Sequence, residues 1–482
     1  MEFATNYHDD YTSFQNDWQF YINSYVGGRA YVNDQTIFQH VRESEHDYSQ
    51  RIKRAIYTNY CRSVVDLYTS FIFGVETHIS RDLDDPSYLD FSLNVDLRGN
   101  SMDDFMQQVS TYAQIFGFCG VLIDSPPRDD TIITLRDQQD SGIRPYLCVY
   151  QPLDIVDWSL DRFGQLLWVR LRENDIANED PFAEKDNETY YRTFTRDEWF
   201  VHDEQEELVD SDTHGLGRVP FVCAYFQKHP QYPFVGLSQL VDIAPINRLL
   251  TNVASYIDEF VSKQAFPFLA SSDNPMMPDG QEPESIVSAS NVWNYPQGSQ
   301  PPSYISPPTD PAQFMQSFST EYLISQILRA AHLDHRALAE QSGVAKQYDF
   351  HQLNHVLSRF SRNLEMAENQ VMDIYYQWTG QMLETAPIDY PDSFEVETIS
   401  QALANSKLVR EIFGDKSPTF TSEHLRRMAN RLAPKMEQEI ADRIETELLD
   451  SAVVKAQAMA FADEMEELAN FNYQDQDEEL SV

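Results

Sequence analysis

Residues Phe266–Pro311, FPFLASSDNPMMPDGQEPESIVSASNVWNYPQGSQPPSYISPPTDP, contain ten of the 24 prolines of the chain. No lysine or arginine occurs between Gln264 and Leu328, a stretch that carries six acids. Prolines at this density exclude a long helix but permit short strands, and Ile286–Tyr295 is the best strand candidate. The alternative is a flexible Pro-rich linker, although it would leave Trp293 and Tyr295 in solvent.

Amphipathic helices are predicted on both sides of this Pro-rich segment. One covers about Leu237–Val261, and Pro245 indicates that this helix either starts or kinks there. The second covers about Pro311–Leu333. After a polar interval at 334–348, the longest helix is predicted to run to Gly380, because its apolar residues alternate in steps of three and four over about seven turns.

The N-terminal part is predicted to be helical and then β-rich. Helices are expected around Phe14–Tyr25, over Tyr48–Ile72, and after Ser101, which is a suitable N-cap. Beyond Gly120 the apolar period changes to two, which is typical of antiparallel strands that close near Gly217–Phe221. The predicted strands and their turn are Gly120–Asp124, Thr131–Leu135, Leu166–Leu171, Tyr190–Phe194 and the hairpin turn Asp161–Gly164.

Three further helices are predicted over about 398–468, followed by an acidic tail. The fold class is therefore α+β and mainly helical.

The composition excludes several classes of protein. The chain has 482 residues, 35 Lys and Arg against 77 Asp and Glu, and a formal net charge of −42. Such a surface repels phosphates, which disfavours tight nucleic-acid binding and anionic membranes. No apolar stretch of about 18 residues is present, so we expect a soluble, unexported chain with no membrane contact. The four cysteines lack metal spacing and suit core positions.

Catalytic motifs are missing from the sequence. There is no GxxxxGK[ST] loop, no GxGxxG after a strand and no GxSxG elbow. The pairs His332/His335 and His351/His355 have the spacing of metal ligands, but an ordinary helix face is the favoured interpretation. We predict no enzyme activity, no cofactor and no metal. Since a pair of catalytic carboxylates can be proposed almost anywhere among 77 acids, an acidic carboxylate-dependent hydrolase stays open as an alternative.

The order of the parts resembles the portal proteins of tailed bacteriophages over nearly the full chain, from about Phe14 to Leu468. Each matching phrase is short, and their order around the Pro-rich segment is the more specific feature. The phrases are YINSY (Tyr21–Tyr25), the Arg51–Gly74 helix, GRVPF (Gly217–Phe221), GLSQL (Gly236–Leu240), QAFPF (Gln264–Phe268) and the Ser342–Gly343 loop.

The resemblance implies a homo-oligomeric ring of twelve subunits at one capsid vertex, through which DNA is packaged and ejected. It implies the following portal-like subunit: wing 1–236 with a β-rich insertion at about 119–228, stem helix 237–263, clip 264–310, second stem helix 311–333, tunnel loop 334–348, long wing helix and connection 349–397, helical crown 398–470 and acidic tail 471–482.

The same resemblance implies partners and site residues. Double-stranded DNA would pass without sequence specificity, touching the tunnel-loop residues Arg336, Gln341, Lys346 and Gln347. The clip would dock the terminase and then the head-completion or adaptor and tail proteins, through Asp273, Asp279, Glu282, Glu284, Trp293 and Tyr295. Major capsid and scaffolding proteins are further expected partners, with assembly in the host cytoplasm and a final location in the virion. Another ring-forming phage connector or capsid protein is the nearest alternative.

Overall fold

The computed structural model of the chain describes residues 7–74, 79–81, 86–126, 144–175, 188–265, 268–270, 303–305, 310–333, 343–380 and 387–394, with isolated positions between 407 and 425. The chain divides into two compact units, Met1–Ser70 with Ser80–Asp392, and Phe71–Ile79 with Ser393–Val482. Almost all of the described residues belong to the first unit. The predicted crown at 398–470 and the acidic tail lie almost entirely outside the described residues.

The described fold is α+β, which confirms the predicted class. In chain order the helices are α1 (Asp9–Val26), α2 (Gly28–Tyr31), α3 (Glu45–Arg54), α4 (Tyr60–Ile72), α5 (Pro86–Ser92), α6 (Met102–Phe116), α7 (Ile243–Ala265), α8 (Asp310–Ser317), α9 (Ile324–Ala330) and α10 (Gly343–Trp378). One π-helical turn, Phe318–Leu323, joins α8 to α9.

The strands form sheets of five, three and two members. They are β1 (Ser80–Arg81), β2 (Phe118–Asp124), β3 (Tyr146–Tyr150), β4 (Ile155–Leu160), β5 (Leu166–Asp175), β6 (Glu188–Phe194), β7 (Glu198–His202), β8 (Leu208–Thr213), β9 (Phe221–Tyr225), β10 (Phe268–Ala270), β11 (Ser303–Ile305) and β12 (Ile388–Asp389). Strands β4 to β8 pair in sequential order as an antiparallel meander, and β2 lies between β3 and β9. The remaining pairs are β1–β12 and β10–β11.

The three-stranded sheet lies in the core of the first unit. All seven residues of β2 are buried, and α6 and α10 both pack against this sheet. The indole Nε1 of Trp378 donates to the carbonyl of Ile123 at 3.1 Å, which fixes the end of α10 to β2. An ion pair of 2.9 Å between Asp124 of β2 and Arg192 of β6 connects the three-stranded sheet to the meander.

Two glycines allow two segments of the backbone to approach each other closely at the end of α6. Gly117 ends that helix with a φ of +94°, in the left-handed region that favours glycine. A Cβ added to Gly236 would lie 2.1 Å from the carbonyl oxygen of Gly117. The GLSQL phrase therefore begins at a position where no side chain fits.

The sequence predicted one continuous helix over Tyr48–Ile72, and this prediction was wrong because the helix is interrupted near its middle. The structure has two helices, α3 and α4, separated by the extended residues 55–59. In this gap the Tyr57 hydroxyl donates to the carbonyl of Ser24 at 2.9 Å. The Asn59 amide donates to the carbonyl of Tyr25 at 2.7 Å, and its oxygen accepts from the Arg62 amide at 2.8 Å. Asn59 thus caps α4 while satisfying the last carbonyls of α1.

Several sequence predictions in the N-terminal half are confirmed. Ser101 caps α6 in a reciprocal capping box with Asp104. The turn at Asp161–Gly164 joins β4 to β5, with the Gly164 amide donating to the Asp161 carbonyl at 3.0 Å. The strand segments at Gly120, Leu166 and Tyr190 lie within β2, β5 and β6. The proposed strands Thr131–Leu135 and Ile286–Tyr295 lie outside the described residues.

Helix α7 begins at Ile243, six residues later than predicted, so Pro245 lies in its first turn and causes no interior kink. The residues before it bind the end of α6 instead, since the Ser238 hydroxyl donates to the Ile115 carbonyl at 2.5 Å. Helix α10 begins at Gly343 and therefore starts inside the range 334–348 assigned to the tunnel loop. The predicted helix Pro311–Leu333 is present as α8, the π turn and α9.

Strand β8 is an exposed edge of the meander. All six of its residues are exposed to solvent. The carboxylates of Asp210 and Asp212 accept hydrogen bonds from the amides of Ser211 and Thr213 at 2.8 and 2.7 Å. Charged side chains on an edge strand oppose the addition of another strand, so we expect these two acids to protect the edge.

Candidate assembly surface

Helix α7 and the segment α8–π turn–α9 form a helical hairpin. The helix packs against α8, the π turn and α9. Strand β10 follows α7, and β11 precedes α8. These two strands pair antiparallel, with Phe268 opposite Ile305. The described chain therefore leaves one helix, enters a two-stranded ribbon and returns through the other helix.

Two buried asparagines attach α7 to the N-terminal part of the chain. Asn247 accepts from the Tyr60 amide and donates to the Thr58 carbonyl, both at 2.9 Å. Asn252 accepts from the Phe38 amide at 2.9 Å and donates to the Thr36 carbonyl at 2.8 Å. Since buried backbone groups are costly when unpaired, each asparagine fixes the position of α7 against that backbone.

Arg51 on α3 is the charged centre of the same attachment. Its guanidinium is buried and binds the Glu43 carboxylate through two hydrogen bonds of 2.7 Å. It also donates to the Ser255 hydroxyl of α7 at 2.8 Å, and it lies 4.6 Å from the Tyr256 ring centroid. Burial by itself lowers the pKa of Arg51, but the hydrogen bonds and charge of Glu43 outweigh it and raise this pKa. Arg51 therefore stays charged and holds α3 against α7.

The other arm of the hairpin ends in a Schellman motif. The Leu333 amide donates to the Leu328 carbonyl at 2.7 Å, and the His332 amide donates to the Arg329 carbonyl at 3.0 Å. His332 takes the left-handed position with a φ of +54°, where glycine is more usual. The buried hydroxyl of Tyr68 donates to the Ala331 carbonyl at 2.8 Å. This contact attaches the end of α9 to α4.

An aromatic ladder, defined as Phe314, Phe318 and Tyr322, runs along α8 and the π turn. The ring centroids are 6.2 and 5.3 Å apart, and the interplanar angles are 14° and 20°. Phe314 is 71% exposed and Tyr322 is 53% exposed. Leu249 and Val261 on α7 are exposed as well. Exposed apolar side chains on paired helices are typical of a surface that binds a partner or another subunit.

The residues predicted to touch DNA or the motor are only partly within the described structure. The backbone of Lys346 and Gln347 belongs to the first turns of α10. Arg336 and Gln341 lie outside the described residues, as do all six clip residues. The predicted DNA and docking roles therefore stay predictions.

Sequence reasoning missed two features of this surface. It placed a helix over Pro311–Leu333 but could not tell that Phe314 and Tyr322 on this helix face solvent. It did not single out Asn247 or Asn252, although amides inside an apolar helical stripe are a signal for buried hydrogen bonds.

Metal-binding clusters and membrane-spanning helices are absent from the described residues. Within them, no group of three or more His, Cys, Asp and Glu side chains is placed to hold a metal ion. No helix in that part of the chain is long and apolar enough to cross a membrane.

Two solved structures that resemble this chain are distant likenesses. No model of a protein family matches this sequence, and no curated protein is significantly similar to it. A chain in the neck of an empty GTA particle, computed with C6 symmetry, is 12% identical with a TM-score of 0.42; the match covers 81% of this chain and 95% of that one. A chain in the virion of a native gene transfer agent (GTA) particle is 11% identical with a TM-score of 0.39, and the match covers 82% and 94%. Since both TM-scores are below 0.5, neither likeness assigns a fold or a function to this chain.

Proposed function

We propose that this chain is a portal protein of a tailed bacteriophage, the subunit of a ring at one capsid vertex through which DNA is packaged and ejected. The main observation that supports the proposal is the helical hairpin, with its ribbon strands β10 and β11 and its exposed aromatic ladder. Its position in the chain agrees with the stem and clip that the family resemblance implies. On this proposal the protein is a structural component of the virion and not an enzyme.

The hairpin has the properties expected of a subunit contact. One side of α7 is fixed by Asn247, Asn252 and Arg51, so the hairpin has a defined direction relative to the rest of the first unit. The ladder lies on the other arm of the hairpin and is largely uncovered. Closed rings are built by repeating one such contact between identical subunits.

The net charge of the chain suits conduction of DNA rather than its capture. A ring multiplies the formal charge of −42 by the number of subunits. Walls of one negative sign repel phosphates, and only a few bases near 334–348 would offer point contacts. Terminase, head-completion, tail, capsid and scaffolding proteins are the partners that this role requires.

Imaging and native mass spectrometry of the purified chain test the ring. We expect closed rings with a central channel, and we expect the double variant Phe314→Ser/Tyr322→Ser to lose them while keeping wild-type helicity. Phe163→Ser is the matched control, because Phe163 is 75% exposed but lies in the β4–β5 turn. A wild-type chain that stays monomeric would refute the ring, and rings of the ladder variant would refute the role of the ladder.

Charge reversal in the particle tests the channel. Arg336→Glu with Lys346→Glu is expected to reduce DNA packaging or retention without disturbing ring formation. Normal packaging and retention in that variant would exclude the proposed contact between these bases and DNA.

A further inference from the structure

The outer face of the five-stranded meander contains a cavity of about 390 Å³. Alternate residues of β5, β6 and β7 line it, whereas their neighbours Val169, Leu171 and Phe194 are buried on the opposite face. The cavity, called the sheet cavity below, is lined by Trp168, Arg170, Tyr191, Thr193, Thr195, Phe200, His202 and Glu206. Its volume is within the range of ligand sites, about 300 to 1,000 Å³.

Three half-buried aromatic rings form walls of this cavity: Trp168, Tyr191 and Phe200. The solvent-facing side of an antiparallel sheet usually carries polar residues. Aromatic faces carry a negative electrostatic potential and attract cations within about 6 Å of the ring centroid. The cavity already shows this contact once, since the Arg170 guanidinium lies 5.7 Å from the Trp168 ring centroid.

The arginines of this face are each paired with a carboxylate. Arg170 lies 3.8 Å from Asp157, and its Nε donates to the Thr193 hydroxyl at 3.2 Å. Arg172 lies 3.3 Å from Asp154. These pairs leave little net positive charge at the cavity.

The rim of the cavity carries an excess of negative charge. Glu206 lines the cavity and the charge of Glu204 acts on Tyr191, while the sequence from Asp197 to Gly217 contains no lysine or arginine. Burial, the hydroxyl of Tyr7 and, to a smaller extent, the charge of Glu204 raise the pKa of Tyr191 to about 12, although the charge of Arg172 opposes this shift. Aromatic walls below an acidic rim are complementary to a cation with an apolar stem.

We propose that the sheet cavity binds an arginine or lysine side chain from an extended, basic segment of a partner protein. The cation would lie against Trp168, Tyr191 and Phe200, with the carboxylates of the β7–β8 hairpin at the rim. A second copy of this chain is a poor occupant, because its formal charge of −42 would add repulsion. The inference does not depend on ring formation, since all of the lining residues belong to one chain.

Fluorescence anisotropy with the full chain and a labelled GSRGSRGS peptide tests this site. A peptide with citrulline in place of both arginines is the uncharged control. We expect the dissociation constant of the citrulline peptide to be higher than that of the arginine peptide by roughly tenfold or more. Trp168→Ser is expected to weaken binding of the arginine peptide by a similar factor, while Phe163→Ser, which changes an exposed ring outside the cavity, leaves it unchanged.

Two further variants separate the cavity from the general acidity of the chain. His202→Arg retains the aromatic walls and adds a positive charge to the cavity, so we expect weaker binding even if Trp168→Ser proves to be unfolded. Glu204→Gln is expected to weaken binding and reduce its salt dependence. Equal binding to wild type, Trp168→Ser and His202→Arg would show general electrostatic attraction and overturn the proposal. No binding, or equal binding of the citrulline peptide, would overturn it as well.

Discussion

Replacing Arg51 with methionine tests the attachment between α3 and α7. The substitution keeps an unbranched apolar side chain in place of the arginine methylenes but removes the guanidinium. Four hydrogen bonds are lost: two to Glu43, one to the Ser255 hydroxyl at 2.8 Å and one to the Phe38 carbonyl at 2.7 Å. The side chain of Arg51 is 1% exposed and that of Glu43 is 12% exposed, so little water can replace the lost cation.

The expected cost follows from the carboxylate that remains. Removing one partner of a buried ion pair destabilises a protein by about 3–5 kcal/mol, mostly because the other charge stays buried. Since Glu43 retains some exposure, we expect a loss near the lower end, about 3 kcal/mol. Urea unfolding followed by tryptophan fluorescence, at one fixed protein concentration, measures this change in the free energy of unfolding.

Two controls make the result specific. The double variant Arg51→Met/Glu43→Gln removes the uncompensated charge and should recover part of the loss. Arg362→Met breaks the exposed pair between Arg362 and Asp392, whose side chains are 65% and 79% exposed, and should change stability by less than about 1 kcal/mol. If Arg51→Met costs no more than Arg362→Met, the attachment does not stabilise the fold and the reasoning is refuted.

Three further predictions concern other parts of the first unit. Gly236→Ala should lower the free energy of unfolding, measured in urea, by about 3 kcal/mol or more, because the added Cβ would collide with backbone atoms. Gly215→Ala should lower it by about 1–2 kcal/mol, because the added Cβ meets no atom within 4 Å but the backbone has a φ of +64°. Burial lowers the pKa of His214 below its ordinary 6.5. The free energy of unfolding should therefore be highest above pH 6.5 and should fall as the pH drops through the folded-state pKa of His214. His214→Gln should remove this contribution to the pH dependence. Light scattering should detect increased self-association of Asp210→Ala/Asp212→Ala, and unchanged scattering would show that these acids do not protect the edge.

Periodicity predicted most elements of the N-terminal half because local side-chain patterns determine them. Ser101 is three residues before Asp104, which is sufficient for a capping box regardless of tertiary structure. The break between α3 and α4 was not predictable in this way. It depends on Asn59 and Tyr57 binding carbonyls at the end of α1, more than thirty residues earlier in the chain. Contacts between distant segments override local helix propensity.

The candidate surface shows a related limit. Phe314 and Tyr322 follow the helical period whether they face a core or a partner, so the sequence pattern could not distinguish the two. Asn247 and Asn252 similarly leave no sign in the sequence of the backbone groups that they bind. In both cases the missing information is which element lies opposite, and only the packing of α7 against the N-terminal segment and the second arm provides it.

The hairpin buries apolar side chains such as Leu250, Leu323 and Ile327, but it also buries two amides and exposes aromatic rings, and this combination supports the proposed assembly. Its attached side buries the amides of Asn247 and Asn252, which contribute little net stability but are paired in only one arrangement of the helix. Its open side exposes the rings of Phe314 and Tyr322, which gain free energy only when another surface covers them. A subunit that acts alone gains nothing from leaving these two rings in solvent. The observed pattern is the one expected if the subunit first fixes the direction of its hairpin and then stabilises it by contact with its neighbours.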